Sequence, residues 1–114
     1  MTATAEGFVR VEGLGASDVD DGALVPASLP NGTRVCVGRH DGALFAVKDH
    51  CTHAEFPLSE GTLYANGELE CCWHGARFDC RTGAVLRGPA EEPLVRYEIE
   101  ERDGALWVRR AGDR

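Results

Sequence analysis

Two short stretches of this chain carry the residue types that bind metals. Cys51-Thr52-His53 reads C-x-H, and Cys71-Cys72-Trp73-His74-Gly75 reads C-x-x-H, with seventeen residues between His53 and Cys71. Each stretch supplies one thiolate and one imidazole. That donor set can hold a zinc ion, or a [2Fe–2S] cluster in which two histidines replace two cysteines on one iron. Zinc fingers usually pair two closely spaced cysteines with two closely spaced histidines. Here each stretch mixes one Cys with one His, which is unusual for structural zinc. The mixture suits a dinuclear cluster: each stretch gives its Cys to the inner iron and its His to the outer one.

The elements around these stretches must bring them together. Asn66-Gly67 is a strong hairpin signal between Thr62-Leu63-Tyr64 and Glu68-Leu69-Glu70, so a hairpin joins the two stretches and brings their tips together. Ser59-Glu60-Gly61 reads as the turn leading into it. Arg77-Phe78-Asp79 leaves the second stretch as a strand, Thr82-Gly83 turns it, and Ala84-Val85-Leu86 reads as a further short strand. Residues 88–93 show no regular pattern and read as a surface loop. Upstream, strands are expected at 8–11, 23–25, 34–37 and 43–47. Pro26 suggests an edge, Pro30-Asn31-Gly32 a turn and Asp41-Gly42 a hairpin, and Ser17 to Gly22 gives at most one helical turn. Downstream, 94–99 and 105–108 pair across Arg102-Asp103-Gly104. The pattern predicts an all-β, antiparallel sandwich or barrel, a single domain over 1–114, with an inserted cluster-binding subdomain at about 48–90.

The two ligand stretches, together with Phe78-Asp79-Cys80-Arg81-Thr82-Gly83 and Gly88-Pro89-Ala90, resemble the cluster motif of Rieske proteins. The resemblance implies the Rieske fold and one [2Fe–2S] cluster. Cys51 and Cys71 would bind one iron as thiolates, and His53 and His74 the other as neutral imidazoles. Pro89 would sit on the loop that covers the cluster. The remainder of the chain has the length of a small Rieske ferredoxin, such as the ferredoxin components of bacterial aromatic ring-hydroxylating dioxygenase systems. The implied function is that of a soluble one-electron carrier, not itself catalytic. It would take electrons from a flavin-dependent reductase and pass them to a terminal oxygenase, docking near His53 and His74. The oxygenase's own mononuclear iron needs two His and a carboxylate on a further domain, which a chain of this length is not expected to contain. The same motifs also allow a small Rieske subunit of a nitrite-reductase-like or iron–sulfur-assembly-associated system. A non-redox module with structural zinc is the third reading.

The donor set also sets the redox chemistry. Two thiolates neutralise the oxidised diferric core, whereas four would leave it a dianion, so adding an electron costs less. The expected range is roughly −150 to +300 mV, against about −400 mV for all-Cys clusters. High-potential Rieske proteins of respiratory complexes carry a cysteine pair where Phe56 and Trp73 stand. They also carry a hydroxyl donor where Ala76 stands and a tyrosine where Phe78 stands. Without those donors this centre is expected near the low end, about −150 mV.

Composition narrows the class further. The chain has 114 residues and a net charge of −7, which argues against nucleic acid or anionic membrane as a partner. Acidity suits docking to a basic patch on another protein, and it also serves solubility. The apolar runs are too short to cross a membrane, and residues 1–6 do not read as a signal peptide, so the cytoplasm is expected. Five cysteines, an odd number, do not suggest a disulfide framework.

The remaining candidates have simpler readings. Cys72 departs from the proline found in many relatives and makes Cys72-Trp73-His74 a second C-x-H, but the family spacing favours Cys71 as ligand. Cys36 is expected to be packing, His40 a solvated turn residue and His50 a surface residue. Trp73 is expected to shield the cluster or line the docking face, and Trp107 to lie in the core or on a sheet face. Glu91-Glu92 and Glu100-Glu101 read as solvated charges.

Overall fold

The computed structural model describes residues 7–50, 57–71, 75–88 and 92–111. Ten strands form among them: β1 (Val9–Gly15), β2 (Leu24–Ser28), β3 (Arg34–His40), β4 (Ala43–Lys48), β5 (Thr62–Leu63), β6 (Glu68–Glu70), β7 (Arg77–Asp79), β8 (Val85–Arg87), β9 (Arg96–Arg102) and β10 (Ala105–Arg110). Single 3-10 turns occupy Ala16–Asp18 and Leu58–Glu60. Strands β1-β10-β9-β4-β3-β2 close a barrel, and β5-β6-β7-β8 form a second, four-stranded sheet. Every pairing is antiparallel.

The local signals act as their chemistry requires. Asp41 and Gly42 have φ of +52° and +79°, and Asp103 and Gly104 +52° and +82°. These are the left-handed two-residue turns that match the twist of paired strands. Pro26 lies opposite Cys36 in the β2–β3 ladder, while β2 meets β1 only at Glu12↔Ser28. The missing N–H therefore falls beside a nearly unpaired seam, so the barrel tolerates an edge-type proline.

The hairpin of β3 and β4 is the wall between two cores. Val35, Val37 and Ala46 pack into the barrel with Val11, Leu106 and Val108. Cys36, Phe45 and Val47 point the other way, to Leu58, Leu69, Phe78, Cys80 and Leu94 of the second sheet and its loops. Both faces of the hairpin are covered, so residues 35–38 and 45–47 are buried without the alternation of a half-exposed strand. Each fully buried large side chain here contributes about 1.5–3 kcal/mol.

Most strands differ from the sequence expectation by one to a few residues at an end, β2 and β3 running on to Ser28 and His40. β1 runs on to Gly15 because it meets β10 at both ends, with an irregularity between Arg10 and Gly15. β8 is shifted one residue, to Val85–Arg87. β9 begins at Arg96, not Leu94, because Leu94 gives its N–H to Gly83 O (2.8 Å) and its side chain to the shared core. Trp107 proves to be a half-buried sheet-face residue, 5.3 Å from the Arg102 guanidinium, while its neighbours Leu106 and Val108 fill the core.

Candidate cluster-binding site

Cys71 stands at the end of β6, where the chain enters the second ligand stretch. It is 1 % exposed and packs with Leu58, Leu69, Ala76 and Phe78. Its N–H donates to Ala76 O at 2.8 Å, closing the base of the loop that carries His74. The strands on either side are in register, Glu70↔Arg77 and Leu69↔Phe78, so this loop is the β6–β7 connection. Of the four expected ligands, Cys71 is described. Cys51, His53 and His74 lie outside the described residues, as do Phe56, Cys72, Trp73, Pro89 and Ala90.

The first ligand stretch leaves the end of β4 and returns at Pro57. Its base is closed by Asp49, whose Oδ1 accepts from Ser59 N and whose Oδ2 accepts from Ser59 Oγ, both at 2.7 Å. The third loop is held at Gly83, where the Leu94 N–H bond ties residue 94 to the turn after β7. All three loops are thus anchored to one apolar cluster. Sequence reasoning did not identify Asp49 or Ser59. Their positions flanking the first stretch are a signal only once the pairing is known.

The outer face of β6 and β7 carries a polar network. Tyr64 Oη donates to Glu70 Oε1, Arg77 Nη1 donates to Glu68 Oε1 at 2.8 Å, and the guanidinium lies 4.3 Å from the Tyr64 ring centroid. Arg77 Nε is buried, 3.7 Å from Glu70 Oε2. The bond to the Glu70 carboxylate raises the Tyr64 phenol above its ordinary value, and the same bond holds the Glu70 carboxyl below its own. Neither Tyr64 nor Arg77 was singled out from sequence.

The other candidates are resolved by their surroundings. Cys36 is fully buried, and burial pushes its thiol far up, so it is packing as expected. Burial also raises the Cys80 thiol. His40 differs from expectation: it is half-buried at the end of β3, with Nε2 2.8 Å from Ala65 O and Nδ1 3.2 Å from Arg81 Nη2. It joins the barrel to the second sheet and is not merely solvated.

The structure is a small antiparallel barrel bearing a second sheet, and the residues flanking the two Cys/His stretches meet at one apolar cluster. The chain belongs to the Rieske [2Fe-2S] domain family, whose model matches residues 11–98. It is 37 % identical over 91 residues to the ferredoxin component of the p-cumate 2,3-dioxygenase system of Pseudomonas putida, covering 80 % of this chain and 77 % of that one. It is 43 % identical over 80 residues to the biphenyl dioxygenase ferredoxin subunit of Pseudomonas sp. strain KKS102, covering 68 % and 73 %. The ferredoxin of carbazole 1,9a-dioxygenase from Nocardioides aromaticivorans IC177 superposes with a TM-score of 0.80 at 30 % identity, over 90 % of this chain and 96 % of that one. A chain in the complex of reduced oxygenase and oxidised ferredoxin of carbazole 1,9a-dioxygenase superposes at 0.79 with 32 % identity, over 89 % and 91 %.

Membership brings one Rieske cluster held by two Cys and two His. The residues present fit that group. The sequence supplies two Cys and two His in two stretches whose flanks are pinned by hydrogen bonds, and Cys71, the one expected ligand among the described residues, packs among apolar side chains. The family match removes the structural-zinc reading.

Proposed function

We propose that this protein is a one-electron carrier that receives electrons from a flavin-dependent reductase and delivers them to a terminal oxygenase. The observation that carries the reading is similarity along most of the chain to ferredoxin components of dioxygenase systems. Those relatives are named as the ferredoxin component or subunit of their systems, in keeping with a protein that is not itself an enzyme. Cys51 and Cys71 are assigned as thiolate ligands of one iron, and His53 and His74 as imidazole ligands of the other. The bound cluster supplies a site that takes up and gives back one electron.

The protein's own residues hold, shield and present that site. Leu58, Leu69, Ala76 and Phe78 keep water from the thiolate side. Docking is assigned near His53 and His74, and a weak, small interface is expected of redox partners. The domain is taken as the whole of 1–114, with the cluster subdomain at about 48–90, a span that contains the sheet β5 to β8. No helix of the described residues is long and apolar enough to cross a membrane. We place the protein in the cytoplasm with its partners.

The test is a redox titration of the purified protein with EPR detection, followed by reconstitution with a flavin reductase and a ring-hydroxylating oxygenase. A rhombic signal of low average g, and product formed only when all three components are present, is the expected result. A protein with no reducible iron centre would end this reading.

A further inference from the structure

We propose that Asp49 is a positioning residue for the metal centre: through Ser59 it sets the first ligand loop against the second. The inference rests on the reading of Cys51, His53, Cys71 and His74 as ligands. Asp49 is only 8 % exposed. A buried carboxylate is costly unless its oxygens are satisfied, and here Ser59 satisfies both, with its backbone N–H and with its hydroxyl.

Asp49 is itself fixed to the barrel. Its N–H donates to Arg34 O at 3.0 Å, and the N–H of the preceding Lys48 donates to Val95 O at 2.8 Å. The stretch that includes Cys51 and His53 therefore departs just after Asp49 and rejoins the described chain just before Ser59, and those two residues are hydrogen-bonded to each other.

On its far side the clamp continues to the second loop. Ser59 lies in the 3-10 turn Leu58–Glu60, and Leu58 is fully buried in the same cluster as Cys71. Gly61 N–H donates to Leu58 O at 2.9 Å. Gly61 also lies so close to β6 that a Cβ there would stand 2.0 Å from Glu70 O. Glu70 immediately precedes Cys71, and Thr62 pairs with it. A continuous path runs from Asp49 through Ser59 and Gly61 to Glu70, from the base of one ligand loop to the base of the other. A shift at Asp49 would move Cys51 relative to Cys71, and so distort a cluster that both must bind.

The test compares purified holoproteins carrying Asp49→Ala, Asp49→Asn and Ser59→Ala. Each is read for cluster loss to an iron chelator, EPR line shape, reduction potential and thermal midpoint. Asp49→Ala removes both hydrogen bonds and is expected to speed cluster loss about tenfold or more, with a broadened EPR signal. Ser59→Ala keeps the backbone bond and is expected to do the same more weakly. Asn at position 49 can accept from Ser59 N and donate to Ser59 Oγ, so it should restore retention to within about twofold of wild type.

Wild-type retention and EPR in Asp49→Ala would overturn the proposal. So would a pattern in which Asp49→Asn is as damaged as Asp49→Ala while Ser59→Ala is silent, since that would mean charge, not closure. A lowered thermal midpoint with unchanged EPR and potential would reduce Asp49 to a general stability role and also overturn it. If Asp49→Ala does not fold, Ser59→Ala and Asp49→Asn decide. A wild-type protein with no Rieske signal would instead sink the ligand reading, and the proposal with it.

Discussion

Arg81 Nη2 lies 3.2 Å from Nδ1 of His40, and the opposite ring nitrogen of His40 lies 2.8 Å from Ala65 O. A neutral imidazole protonated at Nε2 satisfies both contacts, accepting from Arg81 and donating to Ala65 O. One side chain of the barrel thereby holds two turns of the second sheet. His40→Ala should lower stability by about 1–2 kcal/mol in chemical denaturation, with Arg81→Ala showing part of the same loss.

The side chains at positions 76 and 78, beside Cys71, bear on the potential. Ala76 and Phe78 are both fully buried next to Cys71, and neither can donate a hydrogen bond from its side chain. The wild-type potential is expected at about −150 mV. Ala76→Ser should raise it by about 40 mV, the equivalent of about 1 kcal/mol of hydrogen bonding gained on reduction. Protein-film voltammetry measures the difference. A potential well above zero in the wild type would contradict the argument.

Tyr64 should titrate late. Its phenol donates to the Glu70 carboxylate, which raises the pKa of the phenol above 10.0 and lowers that of Glu70 below 4.5. The Glu70 contribution to stability is present above the ordinary carboxylate value and is lost as pH falls through the depressed one. The Tyr64 contribution is present below the ordinary phenol value and is lost as pH rises through the raised one. Phenolate absorbance should place the Tyr64 midpoint above 10.0, and Glu70→Gln should bring it back toward 10.0.

Cys36 should be chemically silent. Its thiol is buried in the core that β3 and β4 share with the second sheet, and burial holds it protonated. A disulfide reagent should label it only after unfolding. Cys36→Ser should cost about 1–3 kcal/mol, because the hydroxyl would be buried among apolar groups.

Gly61 should not tolerate a side chain. A Cβ at 2.0 Å from Glu70 O would force the turn away from β6. Gly61→Ala is expected to cost about 2–3 kcal/mol in thermal or chemical unfolding and to yield protein with less bound iron.

The sequence by itself determined the candidate donors, the hairpin that joins the two stretches carrying them, and the all-β class. These depend on covalent spacing and on short-range turn chemistry, as at Asp41-Gly42, Asn66-Gly67 and Asp103-Gly104, and such signals are complete within a few residues. Only the tertiary structure decided the rest. Cys36 reads as ordinary strand packing until β3 is seen to serve two cores at once. His40 reads as a turn residue until Ala65 and Arg81, 25 and 41 positions away, close on its ring. Ser59 reads as part of a turn, and Asp49 carries no signal, until the fold buries Asp49 and sets both its oxygens against Ser59. Contacts between residues far apart in the chain depend on how the strands are ordered, and no local pattern encodes that order.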